Sequence, residues 1–187
     1  MKRTFIAIQV ELNAEFSKLV FQMKKDLSGE QIRWVPEQNL HLTLRFLGDT
    51  PEEGLTSVKA VLQQLSKTAK AFSFRLQGIS SFRRHGSPNI IFAEIHERKP
   101  LSALVNRLNE LLAGAGFSPE GKAFRPHLTL ARIKQLKDRA HFDRVLNRPE
   151  RRESQEVQVT EIIFYESILK ATGPVYEPLV KFPLNSF

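Results

Sequence analysis

The 187-residue chain contains no cysteine, which excludes a disulfide framework, a thiol nucleophile and a thiolate metal site. No stretch approaches the roughly 20 apolar residues that a membrane-crossing helix needs. The run "MKRTFIAIQVEL" sets basic residues ahead of apolar ones, but Gln9 and Glu11 interrupt it too early for a signal peptide. These absences fit a reducing compartment, and the expectation is a cytoplasmic protein with no membrane contact. Acidic residues are in the minority, with 20 Asp and Glu against 28 Lys and Arg and a formal charge of +8. The excess suits a polyanionic partner, nucleic acid before others, or a solvated basic surface. Hydrophobic residues make up 41% of the chain, enough to core one compact domain or two closely joined lobes.

What is present is a four-residue word that occurs twice, His41-Leu42-Thr43-Leu44 and His127-Leu128-Thr129-Leu130. In a strand, His and Thr two positions apart point to one face while the leucines point to the other, into a core. Each copy therefore offers an imidazole beside a hydroxyl. Two imidazoles flanking one group supply a general base and a general acid near neutrality, the minimal equipment for phosphodiester chemistry. Neither histidine has Asp, Glu or Cys at ligand spacing, a poor set for a metal, and no metal or other cofactor is expected.

Taken in order, "TFIAIQV" (Thr4 to Val10) reads as a buried strand, and Leu12, Phe16, Leu19, Val20, Met23 and Leu27 recur at helical spacing up to Gly29. "QIRWVPEQN" reads as a loop carrying Arg33 and Trp34, and the first motif strand runs from about Leu40 to Leu47. Thr50 is the expected N-cap, with Pro51 opening the next helix. The alternation of Phe72, Phe74 and Leu76 with polar residues gives a strand. "SSFRRHGSPN" reads as a basic connection. "IIFAEI" (Ile90 to Ile95) is a strand, and Pro100 opens a helix that ends at Gly114 and Gly116. The second motif strand covers about Pro126 to Arg132, a polar helix about Gln135 to Asn147, and one long strand Glu156 to Leu169. The prolines of "PVYEPLVKFPL" favour an edge strand at about 174–183.

His127 follows His41 by 86 residues, and the same offset carries Phe5 onto Ile91 and the Phe72 strand onto the Gln158 strand. The expectation is a single two-lobed domain over residues 1–187, built from similar α/β units at about 4–80 and 89–169. A pseudo-twofold axis would bring the two His/Thr faces together across a cleft. One chain holds both half-sites, so a monomer with no obligate protein partner is expected.

The segments "RWVPEQNLHLTLRFLGD" (Arg33 to Asp49) and "FRPHLTLARI" (Phe124 to Ile133), within a pattern covering nearly the whole chain, resemble the two-histidine phosphoesterase superfamily. The closest resemblance is to its RNA 2′,3′-cyclic phosphodiesterases, historically called 2′-5′ RNA ligases. The resemblance implies an α+β bilobal fold, with antiparallel sheets lining a central groove, helices outside and no metal or nucleotide cofactor. It implies hydrolysis of a terminal RNA 2′,3′-cyclic phosphate to a 2′-phosphomonoester. It assigns His41 as the proton donor to the departing 3′ oxygen, His127 as the proton acceptor from water, and Thr43 and Thr129 as donors to the phosphate oxygens. The two words are identical, so which histidine is the acid rests on the resemblance alone.

Outside the motifs, Arg132 stands five residues past His127 and is a candidate phosphate clamp or a surface charge. Phe46, five past His41, offers a ring to stack a terminal base or to fill the core. Arg45 shares the face of Thr43 only if no bulge intervenes, and is a candidate RNA contact. Trp34 packs beneath the motif strand or offers a stacking face. Arg83 and Arg84 form a basic patch suited to an RNA backbone. His85, His96 and His141 lack a Thr partner and read as surface residues. The alternatives are a cyclic phosphodiesterase for a small nucleotide, joining of RNA ends through a 2′-5′ bond at the same site, and a non-catalytic RNA- or nucleotide-binding module.

Overall fold

β-branched and aromatic residues are prominent in the strands, and apolar stripes at helical spacing form the helices. The computed structural model describes residues 1–121, 123–148, 153–171 and 173–186. Its elements run β1 (Lys2–Gln9), α1 (Ala14–Asp26), β2 (Gln31–Trp34), a short 3₁₀ turn (Glu37–Asn39), β3 (His41–Thr50), α2 (Glu52–Thr68), β4 (Phe72–Arg84), β5 (Ser87–His96) and α3 (Lys99–Gly114). They continue with β6 (His127–Gln135), α4 (Arg139–Leu146), β7 (Ser154–Val159), β8 (Glu161–Lys170) and β9 (Gly173–Pro183). One sheet has the order β3-β1-β8-β9 and the other β2-β6-β5-β4-β7, with antiparallel neighbours throughout.

The two motif strands occupy matching places, each paired with the first strand of its own sequence unit: β3 with β1, and β6 with β5. The lobes are not the two sequence units, however. β4 belongs by sequence to the first unit but pairs with β5, and β8 belongs to the second but pairs with β1. Each unit thus lends a strand to the other sheet, and the matching orders are β3-β1-β8-β9 and β6-β5-β4-β7. The strand expected to be the counterpart of Phe72 is instead its neighbour, with Ser73 opposite Gln158. The long strand expected over Glu156 to Leu169 breaks at Thr160, where the chain leaves one sheet for the other. The alternation of β7 runs directly into the consecutively buried residues 162–165 of β8, and no Gly or Pro between them marks the crossing.

Other local corrections have equally local causes. The expected loop at "QIRW" is the edge strand β2, recruited by pairing with β6. Thr50 is the last residue of β3 and shares a 2.8 Å hydroxyl contact with Thr4, so Pro51 stands at the cap position without a side-chain hydrogen bond. The basic connection is a tight hairpin between β4 and β5 whose two turn residues, His85 and Gly86, have φ of 49° and 78°, as a type I′ turn requires. The polar helix is shorter than expected and starts after Asp138, whose carboxylate accepts from the His141 backbone N–H. The expected edge strand is present as β9.

One core joins both sheets to the helices: Leu42, Leu44, Leu128 and Leu130 of the motif words sit in it beside Phe16, Leu62, Leu108 and Phe142. A smaller cluster of Phe5, Ala7, Ile163 and Tyr165, with Tyr176 against it, lies on the opposite face of the first sheet. No described helix is long and apolar enough to cross a membrane.

Candidate active site

Both motif words begin their strands, and both strands bulge at the second leucine. In the first sheet Ile6 faces Arg45 and Ala7 faces Thr43, leaving Leu44 unopposed. In the second, Ile91 faces Ala131 and Phe92 faces Thr129, leaving Leu130 unopposed. An extra residue reverses strand parity beyond it. His41 and Thr43 therefore share a face with Phe46, and His127 and Thr129 share theirs with Arg132, while Arg45 and Ala131 turn to the core.

The imidazoles are oriented alike. His41 Nδ1 lies 2.7 Å from the carbonyl oxygen of Asn39, and His127 Nδ1 lies 2.7 Å from that of Arg125. A carbonyl only accepts, so Nδ1 donates in both rings and Nε2 is left to exchange a proton with substrate. Each ring stands among aromatics. The His41 centroid is 5.0 Å from that of Phe5 and 4.9 Å from that of Tyr176, and the His127 centroid is 4.8 Å from that of Phe82 and 5.6 Å from that of Phe92.

Burial holds both imidazoles below the ordinary value of 6.5, and the Arg132 guanidinium pushes in the same direction while the bonds to the carbonyls oppose it. His41 also senses the His127 ring. One cation thus acts on both histidines, and it acts on Tyr176 too. Burial raises the Tyr176 hydroxyl, against the pull of Arg132, Arg33 and Arg3. Arg33 stands directly opposite Arg132 across the β2–β6 pair, so both side chains leave the sheet on the same face.

A cavity of about 610 Å³ opens beside His127, with Thr43, Phe46, Phe82, Arg83 and Glu120 also in its walls. Thr43 comes from the first sheet and His127 from the second, so the two words border one space. Phe46 is 59% exposed; its ring centroid lies 5.9 Å from that of Phe5, and its exposed face can stack a planar ligand. Arg84 is exposed at the hairpin end, outside these walls.

Two expected contacts lie elsewhere. Trp34 is on the core face of β2, with Lys24 Nζ 5.8 Å from its ring centre. Arg45, only 6% exposed, donates to the Ser118 carbonyl and reaches Asn109 Oδ1 at 3.4 Å and Glu120 Oε2 at 3.5 Å. It braces the segment that leads into the second motif and does not face the groove. Sequence reading missed Phe5, Tyr176, Phe82 and Glu120, which reach the site from other strands or a loop without a local pattern of their own. Arg33 was noted only as a loop residue. Among the described residues no group of three His, Asp or Glu is placed to hold a metal ion.

The sequence profile of the 2′-5′ RNA ligase superfamily matches residues 21–169. The chain is 33% identical over 179 residues to the RNA 2′,3′-cyclic phosphodiesterase of Thermotoga maritima, covering 95% of this chain and 92% of that one. It is 31% identical over 178 residues to the protein of the same name from Archaeoglobus fulgidus, covering 95% and 97%. The crystal structure of TT0787 from Thermus thermophilus superposes with a TM-score of 0.77 at 30% identity, covering 98% of each chain. Escherichia coli LigT complexed with 3′-AMP shares the fold, with a TM-score of 0.74 over 98% of each chain.

Proposed function

This chain belongs to the 2′-5′ RNA ligase superfamily, and on that premise we propose that His41 and His127 are the acid and base of an RNA 2′,3′-cyclic phosphodiesterase. The enzyme hydrolyses the cyclic phosphodiester at an RNA end. The observation that carries the assignment is the matched pair of Nδ1–carbonyl bonds, which leaves two Nε2 atoms for one substrate. The neutral His127 takes a proton from water as its oxygen attacks phosphorus. His41, protonated, gives its Nε2 proton to the 3′ oxygen as the P–O3′ bond breaks, and a 2′-phosphomonoester remains. Charge that develops on the non-bridging oxygens is met by the hydroxyls of Thr43 and Thr129 and by the Arg132 guanidinium. The terminal base stacks on Phe46 in the aromatic cavity, and Arg83 and Arg84 attract the RNA backbone. A 5′-hydroxyl in place of water yields a 2′-5′ bond at the same site. A cysteine-free chain acting on RNA suits the cytoplasm.

The test is a short RNA ending in a 2′,3′-cyclic phosphate, incubated in EDTA with wild type, His41→Ala and His127→Ala. A 2′-phosphate product from wild type and loss of turnover by about two or more decades in each variant is the expected outcome. RNA binding without turnover by wild type would favour a binding module, and loss of wild-type activity in EDTA would return a metal to the mechanism.

A further inference from the structure

Among the described residues, the cavity that receives the base in this reading has one acidic side chain in its wall. Glu120 stands in its wall with Phe46, Phe82 and Phe124, near the cations Arg83 and Arg125. A carboxylate is poorly suited to a space meant for RNA if phosphate is all it meets, because like charges repel there. It is well suited to accepting N–H groups from a base. Arg45 steadies it from the core side, 3.5 Å from Oε2, and the Glu120 side chain keeps 37% exposure. The same guanidinium binds the carbonyl of Ser118, two residues earlier, so one buried cation holds both the backbone ahead of the acidic group and the carboxylate itself.

We propose that Glu120 reads the Watson–Crick edge of the terminal base and makes the enzyme favour guanine at the 3′ end. The inference rests on the phosphodiesterase reading above. Guanine presents N1–H and N2–H side by side, matching the two oxygens of a carboxylate. Adenine and cytosine present one amine beside a ring nitrogen whose lone pair opposes the second oxygen, and uracil sets its single N3–H between two carbonyls. Stacking on Phe46 accepts all four bases; the carboxylate separates them.

The experiment compares kcat/KM for four short RNAs that differ only in the terminal base, each ending in a 2′,3′-cyclic phosphate, with a fifth ending in inosine. The expected preference for guanine over uracil is about 10- to 100-fold, the worth of a bidentate base contact. Inosine, which lacks the N2 amine, falls between them. In Glu120→Gln, whose Tm is measured alongside, the guanine-to-uracil ratio collapses toward one. Equal rates on all four bases in the wild type would overturn the inference without needing a variant, as would a guanine preference that survives in Glu120→Gln. No turnover of any substrate by the wild type would overturn the phosphodiesterase reading, and this inference with it.

Discussion

Arg132 ties the two histidines together, because its charge opposes protonation of both. An acid–base pair gives a bell-shaped rate profile whose limbs report its two ionisations. With both imidazoles depressed, the kcat/KM profile of the wild type centres on the acid side of an ordinary imidazole pair. Replacing Arg132 with Gln removes a cation that disfavours imidazolium, so both ionisations rise and both limbs move to higher pH. The optimum rate falls as well, by about 10²-fold if Arg132 stabilises transition-state charge as a single preplaced donor does. Arg132→Lys keeps the charge and loses the planar fork, so its limbs stay near those of wild type while its rate drops. A pH–rate series on the three proteins separates these effects, and limbs that do not move in Arg132→Gln would remove Arg132 from the site. The His-x-Thr pairs were legible at this scale, since two-residue spacing in a strand already fixes a shared face. The orientation of Arg132 was not, because it depends on the bulge two residues before it.

At the scale of elements, the same bulge ends both words and turns the residue two places beyond it to the groove, where the two copies differ in sequence. It brings Phe46 to the groove in one strand and Arg132 in the other, so one half-site gains a ring and the other a cation. It also sends Arg45 into the core, where a charge needs partners. Arg45→Met leaves the Ser118 carbonyl and Glu120 without their donor, and the expected cost is about 1–3 kcal/mol of stability, read as a lower urea midpoint. Because Arg45 does not face the groove, its variant loses less kcat than His41→Ala; an equal loss of kcat would place Arg45 at the reacting atoms. Strand and helix positions were largely legible from periodicity. β2 was not, because four residues that look like a loop become a strand only when β6 supplies the pairing. The sheet crossing at Thr160 was hidden for the same reason: pairing partners are not written in a strand's own alternation.

For the whole molecule, the excess of eight positive charges acts on a polymer more than on a small ligand. Contacts between cations and single-stranded phosphates release counterions, with a slope of roughly −0.7 in log affinity per contacted phosphate against log salt. We expect kcat/KM for an RNA of several nucleotides to fall steeply between low and moderate salt, and that for a mononucleoside 2′,3′-cyclic phosphate to fall far less. Parallel slopes for the two substrates would mean that Arg83, Arg84 and the basic surface do not hold the RNA backbone.

The sequence by itself determined the chemistry on offer: two imidazoles, each with a hydroxyl on its own strand face and leucines behind it, in a chain without thiols. Those relations are local, set by strand geometry over four residues. Only the tertiary structure decided what surrounds them. The exchange of β4 and β8 between sheets builds the groove, the paired bulges choose its ring and its cation, Tyr176 and Phe82 arrive from strands remote in sequence, and Glu120 comes from the loop ahead of the second word. Such contacts arise from chain closure and the burial of two sheets against one core, and no short-range pattern encodes which distant side chain completes a site.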